Sequence, residues 1–342
     1  MWSRVARGSR YASQFGITHD ASPISLSLGM SAVRWFSQPF ATGVHREAST
    51  VGAMCGVRGR NGESWRRNYA TQTVGTKLDG VKHVIAVASG KGGVGKSTTA
   101  VNIALALAHS EELRVGIMDA DVFGPSLPRL MNLKGKPYVT EDKLMQPLEN
   151  YGVRCISMGF LMEERDAAVW RGPMVMGAVE KLLKGTDWGP LDVIVVDMPP
   201  GTGDAHISLS QKVQLSGAVI VSTPQDLALI DARRGVAMYE KVRVPILGIV
   251  ENMSHYICPS CGDKAHIFGD GGAQREAEEL GVELLGQVPL QMQIRELSDA
   301  GKPIVLSKPD SDAAAVYRHI ASRIVAMLNK CQQRGPPIIK LD

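Results

Sequence analysis

Three groups of residues carry side chains suited to chemistry. The first is Gly90-Lys91-Gly92-Gly93-Val94-Gly95-Lys96-Ser97-Thr98, which satisfies G-x-x-x-x-G-K-[ST]. Glycines let a backbone wrap with its N–H groups turned inward on phosphate oxygens. Lys96 is then placed to reach the β- and γ-phosphates, and the Ser97 hydroxyl to bind Mg²⁺. A helix starting near Thr98 would point its positive end at the same phosphates. The pattern is rare by chance, so the segment reads as a nucleoside-triphosphate cradle rather than a glycine-rich turn.

The second group is acidic. Asp119-Ala120-Asp121 follows the aliphatic run Val115–Met118, and Asp197 follows Val193–Val196. Asp197 has the Walker B placement, where a strand-end carboxylate holds Mg²⁺ through water. Asp119 is a candidate for supporting that metal shell. Gly201 and Gly203 would let the loop after Asp197 move. Asp204 fits either a switch residue or the N-cap of a following helix.

The third group is Cys258-Pro259-Ser260-Cys261-Gly262. The residues alone allow four readings. A redox dithiol would need a thioredoxin-type unit, which is absent. A one-chain zinc site could recruit His255 or His266, but the spacing is unlike the usual finger. Two structural thiols in a surface turn are possible. Half of a four-thiolate site, completed by a second copy of the chain, is the fourth. Cys155 falls in an aliphatic run and reads as a buried small hydrophobe.

The elements that must position these residues follow from hydropathy. Strands are expected at Val84–Ala88, Val115–Met118, Val153–Met158, Val193–Val196, Ala218–Val221, Ile246–Val250 and Leu284–Val288. They are continuous aliphatic runs, so both faces should be buried. Helices are expected near 97–109, 172–184, 205–214, 226–243, 272–280 and 311–329. The last carries Val316, Ile320, Ile324 and Leu328 at helical spacing, the stripe of a helix docked on a sheet. Strands alternating with helices predict an α/β fold, a mostly parallel doubly wound sheet with helices on both faces. Residues 81–330 read as one domain, 71–80 as a linker and 331–342 as a flexible tail. Asn252 is expected in a loop after Ile246–Val250, shared with Cys258.

Composition sets the outer limits. The chain has 342 residues, 44% of them apolar and 21% charged, which excludes a disordered chain or a disulfide scaffold. No run reaches the length of a membrane helix. The net charge of +4 is uneven. Residues 1–70 hold nine arginines, no lysine and only Asp20, Glu47 and Glu63 as acids. The rest is nearly neutral and carries no charge pattern that calls it to nucleic acid. An Arg- and Ser-rich, acid-poor N-terminus is the composition of a mitochondrial transit peptide. Arg66-Arg67-Asn68-Tyr69-Ala70 resembles a matrix processing site, so the mitochondrial matrix is the expected location.

A second lysine right after the first glycine, Lys91, resembles the deviant Walker A group of P-loop NTPases that includes MinD, ArsA and the nitrogenase iron protein. That likeness implies that Lys91 reaches across a homodimer to the partner's phosphates. It also implies that Asp121 positions or deprotonates the attacking water, and that Asn252 reads an adenine edge. Taken together, GKGGVGKST, DMPPGTGD and NMSHYICPSCG resemble the Mrp / nucleotide-binding-protein-like (NUBPL-like) family of iron–sulfur carriers, across essentially all of residues 80–330. The resemblance implies ATP, Mg²⁺ and a [4Fe–4S] cluster held between two subunits by Cys258 and Cys261. It further implies slow ATP hydrolysis, an upstream cluster assembly machinery as donor, and apo-proteins of respiratory complex I as recipients. The competing classes are a MinD-like spatial-organising ATPase without a cluster and an anion-pump ATPase.

Overall fold

The computed structural model describes residues 75–161, 172–258 and 260–333. The expected transit segment, residues 1–70, and residues 334–342 of the expected tail lie outside the described residues. Strands are β1 (Val81–Ala88), β2 (Val115–Asp119), β3 (Leu148–Asn150), β4 (Val153–Ser157), β5 (Leu191–Asp197), β6 (Gly217–Ser222), β7 (Ile246–Ile257), β8 (Lys264–Ala265) and β9 (Leu284–Leu290). Helices are α1 (Lys96–Ser110), α2 (Leu127–Leu130), α3 (Gly172–Lys184), α4 (Asp204–Lys212), α5 (Asp226–Lys241), α6 (Gly272–Leu280), α7 (Met292–Asp299), α8 (Ile304–Ser307) and α9 (Asp312–Gln333).

The strands form one sheet in the order β3-β4-β2-β5-β1-β6-β7-β8, with β9 also on β7. The β3–β4 and β7–β8 pairs are antiparallel and the others parallel. Every residue of β2 and of β6 is buried, as a sheet covered on both faces requires. Alternation along β1 divides the core. Val84, Ala86 and Ala88 join one apolar cluster, packed with Val179, Leu182, Val236 and Tyr239 of α3 and α5. Ile85 and Val87 join the other, packed with Ile103, Leu107, Tyr317 and Ile324 of α1 and α9. The fold is the expected doubly wound α/β sheet.

This topology puts β1 at the centre, between β5 and β6. The chain leaves β1 for α1 and β2 on one side and later returns to β6 on the other. Ligands collect at such a switch point, beyond the carboxyl ends of the strands.

Four expectations need correction. β7 continues to Ile257, so Asn252 lies inside a strand and shares no loop with Cys258. Its polar half, Glu251–Ile257, is paired with β9 and β8, which aliphatic content alone does not reveal. The expected linker is partly built in: Thr76 bridges to Val213, and Leu78 is buried. Helix α9 continues to Gln333, past the expected start of the tail. The run Val153–Met158 ends as a strand at Ser157, whose hydroxyl accepts from the Gly159 N–H and opens a 3-10 turn over Met158–Phe160.

Gly248, at φ 151°, sits beside the β6–β7 register shift and packs against the start of β9. An added Cβ there would stand 2.5 Å from the Glu283 carbonyl oxygen. Gly248→Ala should therefore cost ~1–3 kcal/mol as an overpacking substitution. Calorimetry should find Tm lowered by several degrees, and an unchanged Tm would contradict this packing.

Candidate functional site

The phosphate cradle joins β1 to α1 as a loop of mostly glycine, residues 89–95. Gly93 and Gly95 both sit at φ 81°, left-handed backbone that a side chain disfavours. A Cβ on Gly92 or Gly93 would meet no atom within 4 Å, so the cradle opens to solvent there. Gly95 is different: its Cβ would stand 2.2 Å from the Asn252 amide nitrogen. Thr98 belongs to the first turn of α1 and its carbonyl accepts from the Asn102 amide at 2.8 Å.

Lys96 is buried, with its Nζ 2.5 Å from Asp197 Oδ1 and 3.2 Å from Ser97 Oγ. A buried ammonium requires such a counter-charge. Asp197 ends β5, and Asp119 ends β2 as its register partner. Burial pushes both carboxyls upward. At Asp119 the charge of Asp197 adds to that rise; at Asp197 the Lys96 ammonium opposes it. These groups fit a magnesium nucleotide: an open glycine loop and an ammonium for phosphate, a hydroxyl and a carboxylate for the metal.

Asp119 also organises the loop after β2. Its oxygens accept from the N–H groups of Asp121 (3.0 Å), Ser126 (2.9 Å) and Leu127 (3.2 Å), and from Ser157 Oγ (3.2 Å). Asp121 Oδ1 in turn accepts from the Phe123 and Gly124 N–H groups, both at 3.3 Å. Asp121 thus sits on an ordered turn beside the Asp197 carboxylate, whose pKa its charge helps raise. Asp204 is the first residue of α4, and Gly203 holds the N-cap position with no side-chain bond. The N-cap reading of Asp204 is corrected accordingly; its charge still favours the helix N-terminus.

Lys91 is partly exposed, with Nζ 3.6 Å from Asp231 Oδ2 on α5. Asp231 is itself bound by Arg234 at 2.8 Å. Asn252 is buried in β7, and its amide donates to the Val94 carbonyl at 2.8 Å. In this structure Asn252 braces the phosphate loop, a contact across 158 positions of sequence.

The two cysteines cap the β7–β8 hairpin. The Cys258 N–H donates to the Asp263 carbonyl at 3.0 Å, and the Gly262 N–H donates back to the Cys258 carbonyl at 2.9 Å. Gly262 supplies the left-handed residue, at φ 78°. The N–H groups of Cys261 and Ser260 point at the Cys258 sulfur and hold its pKa below the ordinary thiol value. Cys261 is exposed, and its thiol donates to Asp263 Oδ2 at 3.4 Å. A turn that favours the Cys258 thiolate and leaves Cys261 exposed has the chemistry to ligate a soft metal. His255 and His266 lie beside each other further down the hairpin, with ring centroids 6.0 Å apart. Among the described residues, no group of three or more His, Cys, Asp or Glu side chains converges to hold a metal ion. Cys155 is buried, as expected, and burial pushes its thiol up.

Comparison with known proteins decides among the P-loop families. The family model described as ParA, NUBPL iron-transfer P-loop NTPase, matches residues 80–325. The chain belongs to this NUBPL iron-transfer family. A mouse relative, named iron-sulfur cluster transfer protein NUBPL, is 59% identical over 252 residues, 73% of this chain and 79% of that protein. An Arabidopsis thaliana relative, named iron-sulfur protein required for NADH dehydrogenase, mitochondrial, is 58% identical over 262 residues, 77% of this chain and 84% of that protein. Among solved structures, an Archaeoglobus fulgidus nucleotide-binding protein in complex with ADP superposes with TM-score 0.61 at 36% identity, covering 70% of this chain and 93% of that one. MinD of Pyrococcus furiosus superposes with TM-score 0.55 over 72% of this chain and 99% of that one. At 24% identity it bears on the fold alone.

This NUBPL-family chain also has site residues that sequence reasoning missed. His206 on α4 is buried, with Nε2 3.0 Å from the Pro199 carbonyl and Nδ1 2.9 Å from the Tyr239 hydroxyl. Glu251, next to Asn252, accepts from the Ala273 N–H at the start of α6 and from the Gln287 amide. Only the position of His206, just after DMPPGTGD, could have signalled it in the sequence.

Burial pushes the His206 imidazole down to about 4, against an ordinary 6.5. The unfolded chain then binds the proton more readily, so this group favours folding above pH 6.5 and loses that contribution as pH falls toward 4. Across that window wild type should lose up to ~3 kcal/mol that His206→Gln does not. Denaturant midpoints measured at both ends of the window check this; parallel losses in the two proteins would refute it.

Proposed function

We propose that the chain is an ATP-binding iron–sulfur cluster carrier that works as a homodimer. Each copy contributes Cys258 and Cys261, and the pair of copies holds one labile [4Fe–4S] cluster as cargo. The observation that carries the reading is the half-site itself. Two cysteines stand on one turn that favours the Cys258 thiolate, and among the described residues no group of three or more His, Cys, Asp or Glu side chains could hold a metal ion within one chain. A cubane cluster takes four thiolates, so two turns complete it. Membership of the NUBPL iron-transfer family supports the same assignment and argues against the MinD-like alternative, which needs no such turn.

The nucleotide half follows from the cradle. The amides of Gly90, Gly92, Gly93, Val94 and Gly95, with Lys96 and Thr98, would bind phosphates. Ser97 and Asp197 would hold Mg²⁺, with Asp119 behind them. Bound ATP·Mg²⁺ supplies a cleavable phosphoanhydride whose γ-phosphate the loops after β2 and β5 can sense. Lys96 leaves Asp197 for the phosphates, and Asp121 orients water for slow hydrolysis. Lys91, held only at 3.6 Å by Asp231, is free enough to reach a partner subunit. The strand β7 carries Asn252 against the phosphate loop and the cysteine turn at its end, with the backbone kinked at Met253 (φ 56°) between them, so nucleotide state and cluster affinity are linked through one strand.

The recipients are apo-proteins, foremost subunits of respiratory complex I, and the donor is the upstream assembly machinery. The name of the Arabidopsis relative supports complex I, and the acid-poor, Arg-rich N-terminus supports the mitochondrial matrix. Among the described residues, no helix is long and apolar enough to cross a membrane.

Anaerobic reconstitution with ferrous iron and sulfide should turn the wild-type protein brown, with broad absorption near about 400 nm. Cys258→Ala combined with Cys261→Ala should stay colourless and keep wild-type ATP affinity by calorimetric titration. A brown double variant would defeat the assignment of the cargo site.

A further inference from the structure

His206 links two parts of the ATPase that the sequence separates. A carbonyl oxygen can only accept, so the Pro199 contact at 3.0 Å fixes the proton on Nε2. Nδ1 then carries the lone pair and accepts from the Tyr239 hydroxyl at 2.9 Å. The rings meet edge to face, 5.8 Å apart, and both residues are buried. Pro199 belongs to the loop after Asp197, and Tyr239 belongs to α5.

Tyr239 ends a stripe on α5. Asp231, Gly235 and Tyr239 are spaced by four and share one face. A Cβ on Gly90 would press on Asp231 at 2.4 Å, so the phosphate loop lies directly against the first of them. A Cβ on Gly235 would stand 3.8 Å from the Thr202 methyl, so the loop after Asp197 packs on the second. The third grips Pro199 through His206. That loop is also held at its other side, where the Gly201 N–H donates to the Ser89 carbonyl at 2.9 Å.

We propose that His206 is the positioning residue that locks the loop after Asp197 to α5, so that movement of the loop with nucleotide is passed to that helix. Helix α5 carries it onward, because Arg233 clasps Glu276 and Glu279 of α6, whose start is capped by Glu251 of β7. The proposal rests on the ATP-binding half of the function above and is independent of the cluster.

Hydrogen exchange of the full chain with and without ATP·Mg²⁺ tests it. In wild type, nucleotide should slow exchange in the loop and, roughly fivefold, in α5. In Tyr239→Phe and His206→Leu the loop should still respond and α5 should not. His206→Gln should restore the α5 response, since an amide offers one donor and one acceptor. A merely structural role would speed exchange in both nucleotide states and leave their ratio intact. An unchanged ratio in Tyr239→Phe and His206→Leu would therefore overturn the proposal, as would an α5 that ignores ATP in wild type. Absence of any response in the phosphate loop would instead sink the nucleotide reading itself.

Discussion

Lys96 and Asp197 are both buried, and each is tolerable there because the other stands 2.5 Å away. Removing one partner of such a pair typically costs ~3–5 kcal/mol, because a buried charge is left alone. The central strands exist in the order that makes this contact: β1 delivers the lysine through the phosphate loop, and β5, its parallel neighbour, delivers the aspartate. Asp119 arrives on the next strand along, in register with Asp197. Three charges thus converge at one edge of the sheet under enough burial to keep the carboxyls raised and the ammonium paired. A bound phosphate offers Lys96 a second anion, so nucleotide competes with Asp197 for it. That competition is the simplest source of movement in the loop that follows Asp197.

Two elements lead away from this edge, one to the cysteine turn and one to α6. Strand β7 is one continuous piece from the sheet core to the hairpin, touching the phosphate loop through Asn252 and ending beside Cys258. Helix α5 is the other, packed against both nucleotide-facing loops and clasped to α6. The cysteines need such support because their own turn is thin. Among the described residues it has two backbone bonds, one left-handed glycine and no buried apolar side chain. An exposed half-site of this kind suits a cargo that must be given away, since few groups have to move to release it.

Much of this was legible in the sequence, for definite reasons. Continuous aliphatic runs gave away the parallel strands, because both faces of such strands must be apolar. The glycine spacing and the carboxylates at the ends of two runs mark the nucleotide edge in the sequence itself. The second half of β7 was hidden because Glu251, Asn252, Ser254 and His255 are polar; the burial of the first three depends on partners in α6, β9 and the phosphate loop. The short strands β3 and β8 and the short helices α2 and α8 were hidden because a few residues carry no periodicity. The role of His206 was hidden apart from its place just after DMPPGTGD, since its partner Tyr239 lies 33 positions away and only the fold brings them together.

The central claim is that one chain supplies half of a metal cage. Native mass spectrometry of the anaerobically loaded protein, with iron and sulfide assayed on the same sample, tests it most directly. The account predicts that the cluster travels with two chains, one four-iron unit per pair, and that stripping the iron lets the pair separate more readily. A complete cluster retained by a single chain would contradict it.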